Sequence, residues 1–309
     1  MKEWKVVLSK KGFDDSTGEN PSIILPEEYK FQMISFPIPE VNPTRIGFSA
    51  KDLEYHLENN KTKTLQQFFD ELELSFPSDS FHYDPELLIT NKLRKDKNKN
   101  YYATLGQSST ASSVLLDSAH DDTESRNPLS KDDVMLFFGT FKRTYLENGK
   151  LKYDSQMHKI HAIWGYMIVD DVIQVLNDGR LVIPNTKKQG PFEDITPDIL
   201  EKYPHIQEHL HYINRNKEEF PNIIVLSKRF DTFKYKSINK LTKSDYNRTV
   251  WQLPDFLQGA KMGYQKNTKD NLIKDPSRIL INGHGQELVI SNFNNDEMKK
   301  WLKDLGVPL

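Results

Sequence analysis

The chain has 309 residues, 37% hydrophobic and 28% charged, with 42 Lys and Arg against 44 Asp and Glu. That near-balance excludes a global electrostatic pull toward nucleic acid, so contact with a polyanion needs a local basic patch. No cysteine is present, which excludes disulfides, zinc–thiolate sites and cysteine nucleophiles, and fits a reducing compartment.

The N-terminal MKEWKVVLSKKGF lacks the apolar core of a signal peptide, and no apolar run reaches the roughly 20 residues of a membrane helix. The expectation is a soluble cytoplasmic protein with no membrane partner. WKVVLSK reads as a strand ended by Gly12, followed by a long loop, KGFDDSTGENPSIILP, rich in turn-forming residues. A loop of that length is more often functional than idle. FQMISFPIP is a strand shortened by Pro37 and Pro39, which suits a sheet edge. TLQQFFDELEL places Leu65, Phe68, Phe69, Leu72 and Leu74 on one helical face.

FHYDPEL reads as a turn, NKLRKDKNKN as a solvated basic run, and YYATLGQSSTASSVLLDSAH as a loop leading into a helix. Short strands then dominate: VMLFFG, FKRTYL, KLKY, HAIWGYMIV, RLVIP and NIIVLSK, with Asn148-Gly149 as a hairpin turn. One helix interrupts them, TPDILEKYPHIQEHLHYI, with Thr196 as its N-cap and Pro197 in the first turn. The tail reads as a strand in GHGQELVIS, then the helix NDEMKKWLKDL stopped by Gly306. The fold class is α+β with a mostly antiparallel, partly barrel-like sheet, in a single domain over 1–309 whose sheet core spans 131–230.

Standard catalytic signatures are missing. No glycine spacing makes a phosphate loop and no serine sits in a nucleophile elbow. His205, His209 and His211 have partial zinc spacing, but the activating Glu and a third ligand are not where a zinc helix has them. The expectation is surface histidines and no metal; no cofactor is indicated.

Lys10, Lys11, Asp14, His82, Asp84, Gln286 and Glu287 are residue types that move protons or hold a ribose. Spacing alone equally allows Asp14 and Asp84 to cap turns. The strand HAIWGYMIV, set beside an apolar strand, follows the pattern of small PUA, ASCH and EVE barrels. In such a barrel Trp164 stacks a flipped base and Gly165 admits a planar ligand; the competing reading buries Trp164 in the core.

The ordered set LSKKGFDDSTGENPSIILP, SFPIPE, FHYDPEL, LGQSSTAS, DDVMLFFGTFKR, HAIWGYMIV, YPHI, NIIVLSKRF, LTKSD, VWQLPDF and GQELVIS resembles the third family named nucleotide modification associated domain. The resemblance runs from about Val6 to Trp301. It implies a setting beside enzymes of DNA base modification and phage defence. It also implies that Asp14, His82, Asp84, His205 and Glu287 line one site as candidate catalytic groups. Lys10, Lys11, Ser16, Gln107, Trp164 and Gln286 are then candidate ligand-binding groups. Lys10 stands where the family tends to have Arg, which keeps charge but loses a bidentate grip on phosphate. Tyr203 stands where a His often precedes Pro204, which weakens a metal reading further.

Three functions follow as expectations. The first is recognition and processing of a nucleotide or of a flipped or single-stranded base. The second is a non-catalytic reader of a modified base. The third is a structural or partner-binding subunit of a defence complex, with base-modification enzymes as partners.

Overall fold

A computed structural model describes residues 5–12, 20–39, 48–75, 80–82, 85, 87, 103–107, 115, 129–175, 181–183, 193–194, 222–262, 273–281, 287–290 and 296–309. The α+β expectation holds: a large mixed, curled sheet is accompanied by two α-helices among the described residues. The chain divides into two compact units, one of Met1–Tyr83, Leu136–Tyr166 and Asp231–Leu309, the other of Asp84–Met135 and Met167–Phe230.

In the first unit the strand Val6–Lys10 lies between Val134–Glu147 on one side and Glu287–Ile290 on the other. Glu287–Ile290 runs antiparallel to it, pairing Val6 with Ile290 and Ser9 with Glu287. Ile160–Val175 is the next strand beyond Val134–Glu147, so the two segments expected to be neighbours are neighbours. Every residue from Val134 to Phe141 other than Gly139 and Thr140 is apolar and all eight are buried, as a strand covered on both faces requires. Ser22–Ile24 adds a parallel ladder against Phe141–Arg143 and makes the sheet mixed.

VMLFFG and FKRTYL are one 14-residue strand, Val134–Glu147, and not two. Gly139 does not end it, because its backbone stays in the ladder and its missing side chain serves packing. The hairpin at Asn148-Gly149 forms as expected, with φ of 50° and 79° and Leu146 paired to Leu151. FQMISFPIP splits into Met33–Ile34 and Ile38–Pro39, since Pro37 and Pro39 remove two ladder donors.

The helix Leu65–Leu72 buries Leu65, Phe68, Phe69 and Leu72, the face its spacing assigned, and stops two residues before Leu74. Thr64 caps it in a reciprocal capping box with Gln67, and Glu73 leaves it with a left-handed φ of 56°. Its aromatic face meets Phe36 edge-on at 5.3 Å and Phe81 at 5.5 Å between ring centroids. Phe81 is thereby fixed in the strand Ser80–His82, the step that positions His82. The helix Asp296–Leu305 buries Met298, Trp301, Leu302 and Leu305 and ends at Gly306, whose φ is +104°.

In the second unit Thr104–Gln107 is a strand paired with Asn222–Thr232 through Leu105 and Val225, where a loop was expected. Its partner lies more than a hundred residues along the chain, so nothing local announces it. Asp133, buried, accepts from the Ser130 N–H at 2.7 Å and its hydroxyl at 3.2 Å; Lys228 pairs with Asp132. Asp170 holds Lys131 above the usual lysine range by accepting its hydrogen bond.

Candidate functional site

The site is built where the first strand leaves the sheet. Lys11 N–H donates to the Phe138 carbonyl at 2.8 Å, carrying the chain past Val134–Glu147 at Gly139. A Cβ on Gly139 would stand 2.8 Å from the Lys11 carbonyl oxygen, 3.4 Å from the Phe141 ring and 3.7 Å from Trp164 Cδ1. Only glycine lets that crossing come so close. Gly12 turns next with φ +90°, and a Cβ there would meet Ser35 Oγ at 2.5 Å and the Phe36 carbonyl oxygen at 3.3 Å. Gly139 is therefore dictated by close backbone approach, and Gly12 by its left-handed φ.

Four candidates lie at the first strand or on strands to either side of it. Lys10 and Lys11 are the departing residues, both half-buried. Glu287 lies opposite Ser9 in the antiparallel ladder, one residue from Lys10 in register. Trp164 lies across Gly139, its Cδ1 on the same side as the Lys11 carbonyl. Its indole is 2% exposed and tilted against Phe137 at 6.0 Å, so the ring is core packing. The adjoining Nε1–H is buried and has no hydrogen-bond partner among the described residues. Such a donor costs about 1–3 kcal/mol when left unsatisfied.

His82 lies in a separate, smaller sheet. It pairs with Ile38 in the small sheet of Ile38–Pro39, Ser80–His82 and Phe48–Ser49. Ile38 follows Phe36, which touches Gly12, by two residues, at most about 7 Å of extended chain. Gln107 belongs to the second unit, at the end of its strand, where its side-chain amide donates to the Gly106 carbonyl at 2.8 Å. Asp14, Ser16, Asp84, His205 and Gln286 lie outside the described residues. So do His209 and His211; among the described residues no three His, Asp or Glu side chains gather as metal ligands.

The residue that sequence reasoning passed over is His161. It is 3% exposed, and its Nδ1 accepts from the Trp251 indole N–H at 2.9 Å. An indole N–H only donates, so Nδ1 carries no proton and neutral His161 is the Nε2–H tautomer. Phe138 packs edge-on to Trp251 at 4.7 Å and tilted to His161 at 5.8 Å. The residue whose carbonyl holds Lys11 is thus clamped from below by a buried imidazole–indole pair. The available signal was a histidine inside an otherwise apolar strand, because a buried imidazole needs a partner.

A sequence model of the family described as nucleotide modification associated domain 3 matches residues 5–291. No curated protein and no solved structure matches the chain. No described helix is long and apolar enough to cross a membrane.

Proposed function

This chain belongs to the nucleotide modification associated domain 3 family, and from that membership we infer that it recognises a nucleotide or nucleic-acid base at the end of its first strand. What supports this reading is that the first strand ends in Lys10 and Lys11 beside the Gly139 crossing, near the Trp164 Nε1–H that has no partner among the described residues, while the strand of Glu287 pairs along its other edge. Two lysines supply the positive charge a phosphate needs, and Lys11 is held in place through its backbone. A buried donor discriminates sharply in favour of a ligand that offers an acceptor. Glu287 supplies a carboxylate as base-edge acceptor or general base, and His82 an imidazole at neutral pH. Asp14 and Ser16 follow within the same loop; Asp84 and Gln286 are chain neighbours of His82 and Glu287. The setting is DNA base modification, with modification enzymes as partners and phage defence as the context.

The test is titration of nucleotides, and of plain and base-modified single-stranded DNA, against wild type, Lys11→Ala, Asp14→Asn and Trp164→Phe. Saturable binding to wild type that Lys11→Ala weakens at unchanged melting temperature supports the reading. No binding by wild type across that panel overturns it and leaves the partner-binding function in front. Mass analysis of the recovered ligand separates processing, which changes its mass, from reading, which does not.

A further inference from the structure

The chain as a whole is slightly acidic, yet residues 234–278 carry ten Lys and Arg against four Asp and Glu. The fold concentrates part of that excess. A hairpin runs through Leu241 and Thr242, turns at Asp245 with φ of 65°, and returns through Val250 and Trp251. Ile279–Leu280 then pairs antiparallel with Val250–Trp251. Lys243 Nζ and the Arg278 guanidinium carbon each lie 5.4 Å from the Tyr246 ring centroid, one from the hairpin and one from the residue that precedes the added strand.

That ring braces two cations, Arg278 exposed and Lys243 half-buried. Lys243 Nζ is further steadied by the Ser277 carbonyl at 3.1 Å, and Lys240 joins the turn through Ser244 Oγ at 3.3 Å. The neighbouring carboxylate, Asp275, is engaged by the Ser277 hydroxyl and N–H, so it caps its own turn beside the cations. Along the strand, exposure alternates: Arg278 and Leu280 face out while Ile279 and Ile281 are buried. Leu280 is 64% exposed and Tyr246 38%, which sets apolar surface beside the charges.

We propose that this face, Lys240, Lys243, Tyr246, Arg278 and Leu280, binds a single strand of nucleic acid. A single strand presents phosphates and unstacked bases together, which cations with adjoining apolar and aromatic groups match. A duplex hides its bases and would leave Leu280 and the Tyr246 edge without a use. The face shares no residue with the strand-end site and does not rest on that reading.

Fluorescence anisotropy of a labelled mixed-sequence oligonucleotide, across a salt series, tests it with the full chain. Wild type binds with a salt-dependent affinity, and Lys240→Glu with Arg278→Glu weakens binding about tenfold or more and flattens the salt slope by about 1.4, two lost phosphate contacts. Leu280→Ser weakens single-strand binding without changing that slope. If the charge reversals lower the melting temperature, Lys240→Gln with Arg278→Gln gives the same comparison. Wild type that fails to bind, variants that bind as wild type does, or a duplex of the same sequence bound as tightly would each overturn the proposal. Lys11→Ala keeps its oligonucleotide affinity if only the strand-end reading fails, so the two failures are distinguishable.

Discussion

The Trp251 indole N–H donates to His161 Nδ1 at 2.9 Å within the core, and both rings pack on Phe138. Phe138 in turn holds Lys11 through its carbonyl. A buried polar pair thereby supports the backbone position at which the proposed site begins.

Replacing Trp251 with Phe removes the donor and leaves His161 Nδ1 buried without its partner. The expected loss is about 1–3 kcal/mol of stability, read as a lower urea midpoint at unchanged m-value. A midpoint equal to wild type would show that the hydrogen bond contributes nothing net.

Gly139→Ala forces a Cβ to 2.8 Å from the Lys11 carbonyl oxygen, backbone that cannot rotate away. The first strand's end must shift, at a cost of about 1–3 kcal/mol. Nucleotide affinity should fall with it, while Gly149→Ala, at a turn with open space, should leave affinity unchanged. Equal affinity in wild type and Gly139→Ala would separate the crossing from the site.

The Ser277 hydroxyl, with the Ser277 N–H behind it, holds Asp275 below the usual carboxylate range. A depressed folded value means the interaction stabilises above the unfolded carboxylate's pKa and is lost as pH falls through the folded one. Carboxyl NMR titration of Ser277→Ala should find the Asp275 midpoint moved up. An unmoved midpoint would assign the shift to the Ser277 N–H, which alanine keeps, with Lys243 and Arg278 behind it.

Thr64→Ala deletes one half of the capping box on Leu65–Leu72 and should cost about 1 kcal/mol, seen as a lower melting temperature. Thr64→Ser should recover most of it. Failure of serine to rescue would point to the lost methyl rather than the cap.

Much of the local structure was legible. Leu65, Phe68, Phe69 and Leu72 recur at helical spacing and are buried together; Asn148-Gly149 makes its hairpin; Gly306 stops the last helix. Each follows from backbone preference or side-chain periodicity within a few residues. Candidate residue types were legible too, because lysines, carboxylates and histidines are read directly.

Their company was not. That Glu287 faces Ser9, that Lys11 crosses at Gly139, that Trp164 turns its Cδ1 edge toward that crossing, and that His161 waits for Trp251 are register and packing facts. The partners are separated by 278, 128 and 90 residues in the first, second and last cases. Thr104–Gln107 was missed as a strand for the same reason, since its ladder partner comes from Ile223–Leu226. Composition and spacing determined which segments are apolar and where the chain turns, and the ordered set of motifs carried the resemblance to its family. Only the assembled sheet decided which polar groups meet, because pairing register and close backbone approach are properties of two distant segments at once.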